Sequence, residues 1–156
     1  MRDEDFMRKA LEKAVEGVAE GQTPFGACIV KDGEIVACEH NAVWATTDAT
    51  AHAEIQAIRA ACRALDTIDL AGCTIYTTCE PCPMCFSACH WAHLDRIVYG
   101  AVIADAQAAG FSELTISAGE MKRLGGSPIT LQSGVLREEC SRFMREWGAR
   151  PGKRTY

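Results

Sequence analysis

Two short motifs, each at the start of a predicted helix, constrain this chain more than any other feature of its sequence. The first is His52-Ala53-Glu54, and the second is Pro81-Cys82-Pro83-Met84-Cys85. Cys82 and Cys85 are three residues apart, so a helix places both sulfur atoms on one side of its first turn. Thiolate and imidazole groups are zinc ligands, and the pKa of a thiol falls at a helix N-terminus. The chain is therefore expected to fold so that two helix starts meet around one metal ion.

Three protein ligands leave one position open on a tetrahedral zinc ion. His52, Cys82 and Cys85 supply those three, and a water in the fourth position is the pattern of a catalytic zinc. Glu54 follows His52 by two residues, which turns its carboxylate away from the metal and toward such a water. A glutamate there can take a proton from the water and return it to a substrate nitrogen. His-x-Glu followed by Pro-Cys-x-x-Cys is the pattern of zinc deaminases, so we expect one Zn²⁺ per chain.

A cluster of four cysteines fits a second interpretation. Its spacing, C-x2-C-x2-C-x3-C, is that of a bacterial iron–sulfur site. The four are Cys79, Cys82, Cys85 and Cys89. A structural zinc is the related alternative, and it predicts a fourth protein ligand with no open position. However, His90 stands where the iron–sulfur pattern has proline, and that interpretation leaves His52 and Glu54 without a role. The sequence therefore favours a catalytic zinc.

Length, composition and charge describe a globular protein. The 156 residues suit a single domain, and no apolar run approaches the roughly 20 residues of a membrane helix. The charged start, residues 1–6, is unlike a signal peptide, so we expect a cytoplasmic protein with no membrane partner and no disulfide framework. The other cysteines are expected to be small buried hydrophobes: Cys28, Cys38, Cys62, Cys73 and Cys140.

Charge is distributed unevenly along the chain. Residues 137–156 carry six basic and three acidic side chains, whereas residues 1–136 carry ten basic and eighteen acidic ones. An acidic body is a poor partner for a polyanion, so nucleic acid is an unlikely partner. The basic tail is explained most simply as a solvated helix end, where cations interact favourably with the helix dipole.

Hydrophobic periodicity predicts an α/β layered fold around a mixed sheet. A helix over 4–19 precedes a hairpin with strands at 25–30 and 35–39, and after a loop at 40–49 strands and helices alternate. The later helices are predicted at 51–65, 83–92, 104–109 and 136–150. The later strands are predicted at 74–77, 96–100 and 129–132.

Residues 41–100 resemble the cytidine deaminase superfamily of zinc-dependent nucleobase and nucleoside deaminases. The stretches 50–54 (TAHAE) and 78–85 (TCEPCPMC) carry the resemblance, which extends back to Pro24-Phe25-Gly26-Ala27. It implies a three-layer α/β/α fold with a central mixed five-stranded sheet, in one deaminase domain over 1–156.

Within that superfamily the sequence is most similar to bacterial guanine deaminases, which convert guanine to xanthine and ammonia. The similar features are His90-Trp91-Ala92, Gly110-Phe111-Ser112-Glu113 and a final Tyr156. The resemblance implies that Glu54 and Glu113 move protons, although Ser112 stands where the family usually has a further acid. It also implies a homodimer in which the segment 137–156 swaps to the partner and Tyr156 caps the site.

The resemblance further implies which residues bind a purine. They are Phe25, Asn41, Ala53, Trp91 and Tyr156. Asn41 would hydrogen-bond the base and Phe25 would stack on it; the alternatives are a turn asparagine and the first core residue of a strand. Guanosine, cytosine and adenosine in a tRNA anticodon loop remain alternative substrates, because the shared motif determines the chemistry and not the base.

Overall fold

A mixed sheet of five strands forms the middle layer of the protein. The structure is a computed structural model that describes the whole chain, residues 1–156. The strands are β1 (Gly26–Lys31), β2 (Glu34–His40), β3 (Cys73–Cys79), β4 (Arg96–Ala101) and β5 (Thr130–Ser133). Their order is β2-β1-β3-β4-β5, with β1 antiparallel to β2 and β3, and with β3, β4 and β5 parallel.

Seven helices surround the sheet. They are α1 (Asp3–Ala19), α2 (Val43–Thr46), α3 (Ala53–Leu65), α4 (Pro83–Trp91), α5 (Ile103–Ala108), α6 (Ala118–Gly125) and α7 (Arg137–Gly148). Buried residues of α3, α4 and α6 share one core cluster, and those of α1, α5 and α7 share another. The predicted three-layer α/β/α fold is confirmed. No helix combines the length and the apolar composition that a membrane crossing requires.

Alternation along the strands separates the two halves of the core. Ile29 of β1 lies in the cluster under α3 and α4, whereas its neighbours Cys28 and Val30 lie in the cluster under α1 and α7. Ile75 and Tyr76 of β3 divide in the same way. Successive side chains of a strand point to opposite faces, so the sheet is apolar on both sides and needs a helix layer on each.

A β-bulge determines which residues face each other in the β1–β2 hairpin. The register shifts between Ile29 and Val30, and this shift places Cys28 directly opposite Cys38. The two sulfur atoms form a disulfide. The expectation that both cysteines are free is therefore wrong. Without the bulge, the register counted from the turn would pair Cys28 with Ala37. No sequence signal indicates the extra residue of the bulge.

Two helices lie in regions where the sequence analysis predicted none. The short α2 occupies part of the predicted loop 40–49, and α6 follows the fourth strand without an expected counterpart. The start of α6 carries a recognisable signal, because Ser117 and Glu120 cap each other's backbone N–H groups. This capping box in the sequence Ser-Ala-Gly-Glu predicts a helix N-terminus.

Substituting Gly26 by alanine tests the close packing of α1 on β1. A Cβ atom at Gly26 would lie 2.1 Å from the carbonyl oxygen of Ala10 and 2.8 Å from the nitrogen of Ala14, both backbone atoms of α1. We expect Gly26→Ala to lower the free energy of unfolding by about 1–3 kcal/mol, measured by urea titration. Gly125→Ala is the control, because no atom lies within 4 Å of its new Cβ. Equal stability of the two variants would contradict this packing.

Candidate active site

Two helix N-termini position the three metal-ligating side chains. His52 is the N-cap of α3, and Cys82 is the N-cap of α4, with extended backbone at both residues. Pro83 follows as the first residue of α4, a position where proline costs no hydrogen bond, and Cys85 lies two residues further on. The predicted helix starts are thus confirmed.

The three ligand atoms have the separation that zinc requires. The Nδ1 atom of His52 lies 3.6 Å from the Sγ atom of Cys82 and 3.5 Å from the Sγ atom of Cys85. A tetrahedral zinc with its usual bond lengths separates a nitrogen and a sulfur ligand by about 3.5 Å. The residues present therefore fit a zinc ion.

The other two cysteines of the four-cysteine cluster do not join the group. Only His52, Cys82 and Cys85 place ligand atoms within 4.8 Å of one another. The thiol of Cys79 instead points to the carbonyl oxygen of Val102 at 3.6 Å, and Cys89 is buried in the core. The structure therefore contains neither a four-cysteine iron–sulfur site nor a closed four-ligand zinc site.

Interactions among the ligands favour a thiolate at the centre of the site. A hydrogen bond from the Cys85 thiol, aided by His52, lowers the pKa of Cys82 to about 4, although burial opposes the shift. The same hydrogen bond, together with burial, raises the pKa of Cys85. Burial lowers the pKa of His52, but the hydrogen bond and charge of Cys82 outweigh it and raise that pKa overall. Zinc binds thiolates, so Cys82 is suited to the metal.

Glu54 lies beside the ligands but is not one of them. Its side chain is 5% exposed, and burial raises the pKa of its carboxyl group. The hydroxyl of Thr77 lies 3.3 Å from Oε1 and 3.0 Å from the carbonyl oxygen of Cys79, and Sγ of Cys85 lies 3.5 Å from Oε2. These distances place the carboxylate directly beside the metal ligand Cys85. A buried carboxylate with a raised pKa is suited to accept and return a proton.

A cavity of about 200 Å³ opens next to the ligands His52 and Cys82. A smaller recess of about 20 Å³ continues from it toward Glu54. The segment that follows α5 forms one wall of both spaces, because Phe111 and Glu113 line each of them. The site therefore consists of a metal centre at the bottom of a small, largely apolar pocket.

Glu113 is the second acidic side chain of this pocket. It is half-buried, and burial raises its pKa to about 7, with further contributions from the charges of Cys82 and Glu54. A carboxyl group with this pKa exchanges protons readily near neutral pH. The structure thus places the two predicted acids, Glu54 and Glu113, on the walls of one pocket.

The C-terminal residue reaches into the site. The hydroxyl of Tyr156 accepts a hydrogen bond from Nδ2 of Asn41 at 2.6 Å and lies 3.1 Å from the hydroxyl of Thr23. The side-chain carbonyl of Asn41 accepts the N–H of Val43 at 3.0 Å, which directs its amide group toward Tyr156. The rings of His52 and Tyr156 lie 5.7 Å apart. Asn41 and Tyr156 therefore bond each other, but Asn41 is fully buried and lines neither the cavity nor the recess, so its contact with a base stays a prediction.

An irregular arm connects α7 to this tyrosine. Residues 149–156 form no helix, so α7 ends two residues before the predicted limit at 150, and Tyr156 at the end of the arm lines the pocket of its own chain. The N–H of Ser112 donates to the carbonyl of Tyr156 at 2.9 Å. The guanidinium of Arg154 lies 4.3 Å from the ring centre of Trp44, a cation–π contact. The arm is thus attached to the pocket wall on two sides.

Two residues that were predicted to contact the substrate do not point into the cavity. Trp91 is 80% exposed and does not line the cavity, so the expected contact with a purine is not made within this chain. The reason is helical phase, because Trp91 lies about 120° around α4 from the ligand Cys85. The side chain of Ala53 is fully buried in the core, so only its backbone could face a ligand. Phe25 lines the recess and contacts Phe111, with ring centres 5.0 Å apart.

Three residues of the site were not predicted from the sequence. Thr23 and Trp44 hold the arm, and Glu80 lines the recess while bonding two backbone N–H groups. Glu80 had a signal in the sequence, since it is an acidic residue directly after a buried strand and two residues before a metal ligand. Thr23 and Trp44 had none, because they are brought to Tyr156 only by the folded arm.

Comparisons with known proteins agree with this geometry. The family model of the cytidine and deoxycytidylate deaminase zinc-binding region matches residues 1–101. Guanine deaminase of Bacillus subtilis is 41% identical over 157 residues, covering all of both chains. The tRNA-specific adenosine deaminase of the same organism is 38% identical over 149 residues, covering 93% of this chain and 90% of the relative.

A crystal structure of a protein in complex with 2,6-diaminopurine superimposes with a TM-score of 0.90 at 33% identity, covering 97% of this chain and 84% of the other. The matched family region contains all three ligands and Glu54. With its zinc-binding geometry, its α/β/α fold and these relatives, the chain belongs to the cytidine and deoxycytidylate deaminase zinc-binding family.

Proposed function

We propose that this protein catalyses the zinc-dependent hydrolytic deamination of guanine to xanthine and ammonia. The main support for the proposal is the small pocket beside the metal ligands. Tyr156 forms part of the wall of this pocket. Its volume of about 200 Å³ lies below the roughly 300–1,000 Å³ of pockets for drug-sized ligands, so it suits a free base. The full-length similarity to the guanine deaminase of Bacillus subtilis supports the same substrate.

Glu54 moves the protons that the reaction requires. Deamination forms a bond between C2 of guanine and a water oxygen, and breaks the bond between C2 and the amino nitrogen. Zinc held by His52, Cys82 and Cys85 supplies the acidification of water that this hydrolysis needs at neutral pH. The carboxylate of Glu54 takes a proton from the attacking water and returns it to the leaving nitrogen. The hydroxyl of Thr77 lies 3.3 Å from this carboxylate and can donate to it during both transfers.

The base is held by polar groups on one side and aromatic rings on the other. With Tyr156 displaced, the amide of Asn41, which the bond from Val43 orients, donates to a ring nitrogen or carbonyl of the base. Phe25 and Phe111 contact the faces or edges of the purine. Ala53 is the first residue of α3, where the backbone N–H has no partner within the helix and can donate to the substrate.

Glu113 acts as the second proton carrier. It lines both the main pocket and the recess that contains Glu54, so it can reach the substrate from the outer side. A pKa raised to about 7 by burial allows it to give and to take a proton near neutral pH. Ser112, which replaces a second acid here, leaves this role to Glu113 alone.

Adenosine in a tRNA anticodon loop is the second candidate substrate. The observation that favours it is the similarity to a tRNA-specific adenosine deaminase over 93% of this chain. The acidic body of the chain opposes it, since an RNA ligand favours a basic groove. Tyr156 of the arm also lines the pocket that a base flipped from a polynucleotide would have to enter.

A panel of substrates separates these possibilities. We expect ammonia release from guanine to exceed that from guanosine, cytosine, adenine and a tRNA anticodon stem-loop, measured under identical conditions. A faster rate with the stem-loop would assign the protein to RNA editing, and a faster rate with guanosine would mean that the arm admits a ribose.

Removing the carboxylate of Glu54 tests its role separately from metal binding. We expect Glu54→Gln to keep stoichiometric zinc and to lose about 10²–10⁴-fold in turnover, because the amide cannot accept a proton. Zinc analysis by mass spectrometry and ammonia release measure the two properties. Cys82→Ser is the contrasting variant and should lose zinc. Turnover of Glu54→Gln within about threefold of wild type would exclude Glu54 as the general base.

We also propose that residues 1–156 form one domain that works as a homodimer, with the segment 137–156 exchanged between subunits and Tyr156 capping the partner's base. The exposed Trp91 and Leu124 lie on neighbouring helices, α4 and α6, and offer apolar surface to a second copy. Within one chain the arm already makes the contacts that the exchange would conserve, through Asn41 and Ser112. A cytoplasmic location remains a prediction of the sequence.

Deleting residues 151–156 tests the cap. The truncated chain should keep zinc and its fold, because the arm lies outside the sheet and the helices, but guanine turnover should fall sharply as water enters the site. Tyr156→Phe is the matched control, since it removes only the hydroxyl that bonds Asn41 and Thr23. A truncated enzyme as fast and as selective as the full chain would show that the arm is only a terminus.

Mixing inactive variants distinguishes an exchanged arm from one that stays on its own chain. Chains carrying Glu54→Gln retain the arm, whereas truncated chains retain Glu54. If the arm is exchanged, a co-refolded mixture regains activity in mixed dimers, because one of the two sites has both parts. No recovery in such dimers, isolated with two affinity tags, would show that each arm covers its own site.

A further inference from the structure

Glu80 is a buried acidic residue whose partners are backbone groups rather than a basic side chain. Its side chain is 7% exposed, and it lies between the recess residue Cys79 and Pro81, which precedes the ligand Cys82. The backbone N–H of Glu80 donates to the carbonyl of Ala101 at 2.8 Å, which ties this residue to the end of β4. A buried carboxylate needs hydrogen bonds to offset its loss of hydration.

Each carboxylate oxygen of Glu80 accepts one backbone N–H. Oε1 accepts the N–H of Ile103 at 3.3 Å, and Oε2 accepts the N–H of Ala118 at 2.9 Å. Ile103 is the first residue of α5, and Ala118 is the first residue of α6. A single side chain therefore satisfies N–H groups at the starts of two successive helices.

The stretch of chain between these two helix starts forms one wall of the active site. It includes residues 111–114, all of which line the main cavity, and Glu113 is among them. Glu80 holds this stretch at both of its ends and is itself two residues from the metal ligand Cys82. The carboxylate of Glu80 is thus one of the contacts that hold this wall near the metal ligands, together with the bond between Ser112 and Tyr156.

We propose that Glu80 is a positioning residue that sets the place of Glu113 relative to the metal centre, an inference that rests on the proton-carrier role proposed for Glu113. The geometry requires two acceptor atoms. Glutamine has the same shape but presents one acceptor oxygen and one NH₂ group. In either orientation of the amide, the N–H of Ile103 or Ala118 would face another donor, and one end of the stretch would be released.

Glu80→Gln is the first test, in zinc-loaded full-length protein. We expect unchanged zinc content, a KM within about threefold of wild type and a kcat lower by about 10- to 100-fold, because small displacements of a catalytic group cost rate rather than binding. Glu120→Gln is the matched control. Glu120 is an exposed carboxylate that also accepts an N–H at the start of α6, and its substitution should leave kcat unchanged.

A double-mutant cycle supplies a readout that a merely structural role would not move. If Glu80 acts through Glu113, the double variant Glu80→Gln/Glu113→Gln should have the same kcat as Glu113→Gln alone. Ala118→Pro removes the N–H that donates to Oε2 of Glu80 but leaves the Glu80 carboxylate in place. This variant replaces Glu80→Gln in the cycle if Glu80→Gln does not fold. Proline is tolerated at a first helical position, and Ser117 before it already has extended backbone.

The outcomes separate this inference from the proposed function. The cycle is measured with whichever substrate of the panel the wild type deaminates. A substrate other than guanine would therefore overturn the proposed substrate and leave the inference about Glu80 testable. Normal kcat in Glu113→Gln would remove the proton-carrier role and the inference with it. If Glu113→Gln lowers kcat, and Glu80→Gln or Ala118→Pro lowers kcat by a further independent factor in the double variant, only the inference about Glu80 is overturned. Loss of zinc from Glu80→Gln would also overturn it, because Glu80 would then support the metal ligands.

Discussion

The site depends on the close approach of two helix starts on one face of the sheet. His52 begins α3 and Cys82 begins α4, and their ligand atoms lie 3.6 Å apart. Small residues allow this approach, because α3 buries alanine at positions 53, 57 and 61 against the sheet and α4. A larger side chain on that stripe would push α3 outward and separate His52 from both thiols. The three small side chains of α3 are therefore needed for the ligand atoms to lie at zinc-binding distances.

The same packing places an acid where water is scarce. Glu54 lies in the first turn of α3, next to the metal ligands, and is almost completely buried. Burial raises its pKa, which makes it a stronger base than an exposed glutamate. The hydroxyl of Thr77, 3.3 Å from Oε1, offsets part of the cost of burial.

Local patterns predicted the metal site well, and long-range contacts explain what they missed. His52, Cys82 and Cys85 lie in short motifs at helix starts, so sequence spacing alone indicates their geometry. The disulfide of Cys28 depends on a bulge, and the exposure of Trp91 depends on which face of α4 meets the core. Register and helix orientation arise from packing between distant segments, which periodicity does not reveal. The same holds for the arm contacts of residues 149–156.

The metal centre and the walls around it are separable parts of this fold. The zinc ligands and Glu54 come from two helix starts, whereas the wall residues 111–114 and the arm come from later segments. Those segments bind each other, through the N–H of Ser112 and the carbonyl of Tyr156, and through the rings of Phe111 and Tyr156 at 5.1 Å. Wall and cap therefore form one unit, and a change in either displaces the other. If this unit contacts the base as proposed, the choice of substrate depends on the wall and the arm while the chemistry depends on the metal centre.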